Sequence, residues 1–344
     1  MKRIMTVALL FVIAIVVAVG AIVVYSATSQ KTLHFRDDTM PRALFPIKKG
    51  MVELFDTTLF RVDTGSNISI VTPSTLEKLQ EMGMAVEKKY IPYILKDRYN
   101  RFRYYPTHYT VTLPLAEYKL AVDSASNSIR WLPTGKIANS IEGVNVVVDD
   151  DAAINTIGMN VLKNFILEYQ YYRNALALRT RIDDNYQQLG DLSSPCNWNN
   201  LFGLGNRYYV KVSLNNHHSK PFLIDTGMNR LSIKIPIADT IYSKNPLVDD
   251  IYLAQHGVAT AVKRDDNAWV KLGSRAGTRS LYYAPDDGEK YIINPLLFFY
   301  QDVVIDFADR KIYLRPYAKL KATDVMTDSL IAAPAENYFD ASMY

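Results

Sequence analysis

Two aspartates, Asp63 and Asp225, each begin the tripeptide Asp-Thr-Gly, at residues 63–65 and 225–227. Each tripeptide directly follows a short apolar run that is typical of a β-strand. A carboxylate at the end of a buried strand, followed by Thr and Gly, can be held in a tight turn where backbone N–H groups approach the acid. One such turn is an ordinary feature of proteins. Two copies in matching contexts indicate a shared task.

Two such carboxylates brought together would act as one chemical unit. Like charges a few ångströms apart cannot both ionise easily, so the pair keeps one proton. The ionised member can then take a proton from a water molecule held between them, while the protonated member donates to a substrate carbonyl. The attack gives a tetrahedral diol without a covalent intermediate. No metal and no cofactor are needed for this chemistry.

The segments around the two tripeptides also match. Each motif leads through a short apolar alternation to a proline that can open a helix, Pro73 in the first copy and Pro236 in the second. A second pair of segments begins at Gly158 and, 136 residues later, at Asn294, and the two superimpose without a gap. We therefore predict an internal duplication of one unit: strand, Asp-Thr-Gly turn, short helix, long β region, apolar turn and closing strands.

The composition is that of a protein with a substantial core and room for two domains. The chain has 344 residues, of which 49% are hydrophobic and 22% charged. Its net charge of +4 is mild and its basic residues are scattered, which does not favour nucleic acid as a partner. The single cysteine, Cys196, excludes an intramolecular disulfide.

An apolar stretch at residues 4–24 predicts a membrane anchor, because its length is close to the ~20 residues that cross a bilayer as a helix. Lys2 and Arg3 precede it, so the N-terminus is expected in the cytoplasm and the globular part outside it, which means the periplasm if the cell is Gram-negative. A cleaved signal peptide is the alternative, but the stretch is long for an apolar region of roughly 7 to 15 residues. We favour an uncleaved, single-pass anchor.

The domain boundaries follow from changes in composition along the chain. We expect an anchor at 1–27, a stalk at 28–46, an N-terminal lobe at 47–182, a linker at 183–200, a C-terminal lobe at 201–320 and a flexible tail at 321–344. Strand patterns are many and helical patterns are few and short. The expected fold class is therefore mainly β, with two similar lobes facing one another.

The motifs resemble those of the pepsin and retropepsin type of aspartic proteases. The resemblance covers roughly residues 47–317. Its motifs are the catalytic turn (Val62 to Ser66), the hydrophobic-hydrophobic-Gly motif (Ile157 to Leu162), the second turn (Ile224 to Gly227) and a closing strand pair similar to that of bacterial retropepsin-like domains (Val304 to Leu314).

The resemblance implies a single-chain, two-lobed, retropepsin-like β protein in which each lobe supplies one catalytic Asp. Asp63 and Asp225 would form the dyad, and Thr64 and Thr226 would bond to each other across the lobe interface. Gly65, Ser66 and Gly227 would complete the supporting turns. A β-hairpin flap would close over an extended peptide or protein substrate, and no homodimer would be needed to complete the site.

The second half departs from the family pattern at two positions. Met228 stands where Ser or Thr is usual, so Asp225 lacks the hydroxyl bond that Ser66 is expected to give Asp63. Asn294 stands where a Gly is expected, although Asn also tolerates positive φ. The sequence is therefore compatible with two alternative functions. The chain is either an aspartic endopeptidase or a catalytically degenerate relative that binds a peptide or protein partner in the interlobe cleft.

Overall fold

The computed structural model is mainly β. Twenty of the strands in its described residues form one hydrogen-bonded network, and two others form a separate hairpin. The described residues are 9–18, 20, 32–40, 42–48, 50–96, 102–123, 128–170, 173–182, 186–194, 207–227, 233–243, 245–253, 259–285, 291–295 and 301–315.

In its described residues, the first half of the chain contains the longer strands and three helices. Its strands are β1 (Arg42–Lys48), β2 (Met51–Phe55), β3 (Thr58–Val62), β4 (Ser69–Val71), β5 (Val86–Lys89), β6 (Tyr93–Lys96), β7 (Phe102–Tyr105), β8 (His108–Asp123), β9 (Ser128–Val148), β10 (Asn155–Ile157), β11 (Ile166–Gln170) and β12 (Ala175–Arg179). Its helices are α1 (residues 9–18), α2 (Pro73–Glu81) and α3 (Met159–Leu162).

In its described residues, the second half consists mainly of strands, together with a kinked 3-10 segment. Its strands are β13 (Gln187–Ser193), β14 (Tyr209–Leu214), β15 (Lys220–Ile224), β16 (Ile233–Pro236), β17 (Val248–Leu253), β18 (Ala259–Leu272), β19 (Arg275–Ala284), β20 (Ile292–Ile293), β21 (Val303–Asp306) and β22 (Lys311–Leu314), and the 3-10 segment is Ile237–Tyr242.

The two halves repeat the same strand pairings around their Asp-Thr-Gly turns. An antiparallel hairpin, β2–β3 or β14–β15, delivers each turn. The strand before the turn then runs parallel to a short strand, β10 for β3 and β20 for β15. The strand after the turn is β4 in the first half and β16 in the second. It pairs antiparallel with that same short strand. It also pairs parallel with the second strand of a long hairpin, β9 or β19. The predicted duplication is therefore present in the strand order.

A six-stranded antiparallel sheet joins the halves, in the order β1, β12, β11, β21, β22, β13. Its centre is the pairing of β11 with β21, where Leu167 lies opposite Ile305, and both side chains are fully buried. Each half contributes three strands. The segments that repeat 136 residues apart in the sequence thus form the middle of this sheet, where their apolar residues pack.

Buried side chains and a strand lie in segments that we expected to be a stalk and a linker. Leu33 and Phe35 lie in the expected stalk but are buried, and the Phe35 ring packs 4.7 Å from that of Phe165. Strand β13 lies inside the expected linker, with Leu189 and Leu192 buried. Both segments are polar overall, but their few apolar side chains fill positions in the core.

Helix α2 begins at the predicted proline. Thr72 is the N-cap residue, and its hydroxyl accepts the N–H of Thr75 at 3.3 Å. Gly83 follows the helix end and has a φ of +70°, which suits glycine.

The predicted anchor is only partly described, by α1 and Gly20. Within the described residues, no helix combines the length and apolar character needed to cross a membrane. The other residues of the predicted anchor, and the tail at 321–344, lie outside the described residues. The anchor stays a prediction.

Candidate active site

Asp63 follows β3 and is held by backbone groups on two sides. Its own N–H donates to the carbonyl oxygen of Ile157 in β10, at 3.0 Å. Its carboxylate Oδ1 accepts the N–H groups of Gly65, at 2.8 Å, and Ser66, at 3.1 Å. The turn itself therefore orients the carboxylate, as expected of an acid placed directly before a Thr-Gly turn.

Asp225 follows β15 in the same way. Its N–H donates to the carbonyl oxygen of Ile293 in β20, at 3.0 Å, and its Oδ1 accepts the N–H of Gly227, at 2.9 Å. The bonds from each turn to its neighbouring short strand are equivalent in the two halves. Met228, the first departure from the family pattern, lies outside the described residues.

The two turns are bound to each other by their threonines. The Thr64 hydroxyl donates to the carbonyl oxygen of Ile224, at 2.8 Å, and accepts the N–H of Thr226, at 3.0 Å. Reciprocally, the Thr226 hydroxyl donates to the carbonyl oxygen of Val62, at 2.8 Å, and accepts the N–H of Thr64, at 3.2 Å. These four hydrogen bonds relate the turns by an approximate twofold axis and form the threonine pair that the family resemblance implies.

The glycines of the two turns allow each to lie against the aspartate of the other. A Cβ atom placed on Gly227 would lie 2.4 Å from Cγ of Asp63, and one on Gly65 would lie 3.0 Å from Cγ of Asp225. The same Cβ on Gly65 would lie 3.1 Å from Oδ1 of Asp63 and 3.0 Å from Oδ2 of Asp225, so both carboxyl groups border one point of the site. The structure therefore brings together the two acids that the sequence singled out.

Burial and mutual contact change the acidity of the pair. Burial is the main cause that raises the pKa of Asp225, to about 8, and the neighbouring charge of Asp63 adds to it. Burial also raises the pKa of Asp63, while Arg61, the N–H of Gly65 and the bond from Asp225 act in the opposite direction. Both side chains keep partial exposure, so water can reach them. Between the two pKa values the pair holds one proton.

Arg61 is a charged neighbour of the pair that does not belong to the Asp-Thr-Gly motifs. It lies in β3 two residues before Asp63 and is only 4% exposed. Its guanidinium acts against burial to lower the pKa of both aspartates. The sequence does carry a signal for it, because Arg61 is a charged residue within an otherwise apolar run that ends at the motif.

Two expectations about supporting residues were wrong. The Ser66 hydroxyl donates to the carbonyl oxygen of Ile68, at 2.8 Å, and Asp63 is contacted by the N–H of Ser66 instead. Gly158 has an extended φ of −97°, and it has to be glycine because a Cβ would lie 2.5 Å from the backbone of Ile68. Asn294 is buried and is not among the residues with positive φ, so conformational tolerance is not the reason that Asn fits there.

No protein-family model matches the chain, and no curated protein matches it by sequence. Solved structures similar to it include an aspartic proteinase from Irpex lacteus, with 13% identity over 82% of this chain and 99% of that one and a TM-score of 0.45. Basic 7S globulin from soybean shares 9% identity over 80% and 95% of the two chains, with a TM-score of 0.45. The protein edgp shares 9% over 81% and 95%, with a TM-score of 0.42. At these values the function has to be argued from the chain's own residues.

Proposed function

We propose that the chain is an aspartic endopeptidase in which Asp63 and Asp225 activate one water molecule. The observation that carries the proposal is that two turns 162 residues apart, joined through their threonines, place both carboxyl groups around one point. Isolated turn acids need no such partner. Here four threonine hydrogen bonds and two glycines with no room for a Cβ hold the acids together.

The singly protonated pair supplies both the base and the acid for peptide hydrolysis. The ionised carboxylate takes a proton from the bound water as the water oxygen attacks the peptide carbonyl carbon. The protonated carboxyl gives its proton to the carbonyl oxygen, and a tetrahedral diol results. When the diol collapses, the carboxyl that took the water proton passes it to the amide nitrogen and the C–N bond breaks. One diol hydroxyl returns its proton to the other carboxylate, which restores the starting state.

The remaining parts of the proposal concern architecture and location. We assign the two halves to two lobes of a pepsin-like arrangement, with an extended peptide or protein substrate bound between them. Because one chain supplies both turns, a homodimer is not required for the site. The apolar residues 4–24 would anchor the enzyme and keep the globular part outside the cytoplasm, close to substrates at the membrane.

Digestion of a diverse peptide library by the full-length protein, followed by mass spectrometry, tests the activity. The wild type is expected to cleave peptides, and Asp63→Asn and Asp225→Asn are each expected to reduce cleavage by on the order of 10²–10⁴-fold, the usual contribution of a general acid or base. Asp309→Asn, at an exposed aspartate outside the site, is the matched control and should cleave normally. Undiminished cleavage by either site variant would contradict the proposal.

The degenerate, peptide-binding alternative gives a different result in the same assay. It rests on Met228 and Asn294 in the second half. It predicts that the wild type cleaves no peptide from acid to neutral pH but still binds a peptide, and that blocking the cleft abolishes the binding. A cleavage product whose formation depends on Asp63 would eliminate this alternative.

A further inference from the structure

Arg61 lies in β3 and precedes Asp63 by two residues. Side chains alternate along a strand, so residues two apart point to one face and their Cα atoms are about 6.6 Å apart. The neighbouring strand β10 places Thr156 beside Arg61, and Arg61 is 4% exposed. A guanidinium buried to this extent is stable next to negative charge. The carboxylate pair is a source of such charge within the reach of the side chain.

The equivalent position in the second half carries no charge. Leu223 precedes Asp225 by two residues, just as Arg61 precedes Asp63, and it is buried with 2% exposure. Each aspartate accepts the N–H of the glycine of its turn, and Asp63 also accepts the N–H of Ser66, whose counterpart Met228 lies outside the described residues. The difference between Arg61 and Leu223 makes the pair electrostatically unequal.

We propose that Arg61 is a positioning residue that fixes the negative charge of the pair on Asp63 and leaves the proton on Asp225. This inference rests on the proposed function, because it names Asp63 as the base that receives the water proton and Asp225 as the acid that protonates the substrate carbonyl. Arg61 itself takes part in no bond that forms or breaks.

The acidity of the two carboxyls agrees with this assignment. Burial raises the pKa of Asp63, and Arg61 is the strongest influence in the opposite direction. Burial also raises the pKa of Asp225, and the Asp63 charge adds to this effect. Arg61 lowers the pKa of Asp225, but by less than the N–H of Gly227 does. The guanidinium thus favours ionisation of Asp63 first.

Other charged groups on the strands around the pair, within the described residues, have partners of their own. On β2, Glu53 is buried, and its carboxylate accepts hydrogen bonds from Lys48 and from the Tyr118 hydroxyl. On β15, Lys220 lies at the end far from Asp225 and donates to the hydroxyl of Tyr291. Strands β10 and β20 contain no ionisable side chain. On β16, Lys234 is buried as well, but it is Arg61 that lowers the pKa of both aspartates.

The first test is the pH dependence of kcat/KM for peptide cleavage by Arg61→Met, Arg61→Lys and the control Leu223→Met. Loss of the charge should move the acid limb of the profile upward by about one pH unit or more, which is the expected size for charges this close at an effective dielectric constant near 20. Lysine should keep the acid limb within roughly 0.3 units of the wild type, and Leu223→Met should leave it in place. A purely structural role would lower the rate at every pH without moving the limb, and that result would overturn the inference.

The second test needs no peptide cleavage. Full-length wild-type protein labelled with ¹³C at the aspartate carboxyls is titrated by NMR, with the signals of the pair identified from Asp63→Asn and Asp225→Asn. The inference predicts that Asp63 ionises at lower pH than Asp225. The reverse order, or equal sharing, would overturn it. If the wild type cleaves no peptide, the proposed function fails, while this titration still decides which aspartate carries the charge, and its repetition on Arg61→Lys and Arg61→Met decides whether Arg61 sets that order.

Discussion

Replacing Thr64 with valine tests whether the two turns are locked together as described. Valine has nearly the shape of threonine but lacks the hydroxyl. The change removes the bond to the carbonyl oxygen of Ile224 and the bond from the N–H of Thr226. Each lost bond costs about 0.5–1.5 kcal/mol net, and a buried group left without a partner costs about 1–3 kcal/mol. Since Thr64 is buried with 3% exposure, we expect a loss of about 2–3 kcal/mol in the free energy of unfolding.

Urea unfolding, followed by the fluorescence of the three tryptophans, measures this loss. Thr64→Ser is the matched control, because it keeps the hydroxyl and gives up one methyl group, at a cost of about 0.8 kcal/mol. Valine should therefore be clearly more destabilising than serine at this position. It should also lower peptide cleavage, because the carboxylates are held by the same turns. Equal stability of the valine and serine variants would refute the interlocked geometry.

Two further predictions concern the same site. Because the pKa of both Asp63 and Asp225 is raised on folding, their contribution to stability is complete below the unfolded value of 3.8 and is lost as pH rises towards about 8. The melting temperature of the wild type should therefore fall over this pH range more than that of the Asp63→Asn/Asp225→Asn double variant. If the two melting temperatures changed with pH in parallel, the raised pKa values would be contradicted. Gly227→Ala should lose activity and roughly 1–3 kcal/mol of stability, because its Cβ would lie 2.4 Å from Cγ of Asp63. The control Gly277→Ala meets only the end of a flexible arginine, at 3.4 Å, and a similar loss there would show that the close approach is not the cause.

Local motifs made the acids and the duplication predictable. Each Asp-Thr-Gly turn needs only its own strand and glycine, so its position can be read from a few consecutive residues. The repeated segments at 158–178 and 294–314 were recognisable because their apolar residues serve the same purpose in both halves, at the centre of the joining sheet. Patterns formed by consecutive residues can therefore be recognised from the sequence alone.

Features that depend on contacts between distant segments were not predictable in this way. The requirement for Gly158 comes from the backbone of Ile68, 90 residues earlier in the chain. Strand β13 has a polar sequence, and it becomes a strand because β14 and β22 offer it partners on both sides. The importance of Arg61 arises only when the second turn carries Asp225 to its side of the sheet.

The central claim is that Asp63 and Asp225 form one catalytic unit, and a comparison of single and double variants tests it most directly. Cleavage of one peptide is measured at one pH for Asp63→Asn, Asp225→Asn and the double variant, each against the wild type. Residues that act as a unit have non-additive effects. We predict that both single variants fall to the same low rate and that the double variant falls no further. Substantial activity in either single variant, or losses that multiply in the double variant, would contradict the account.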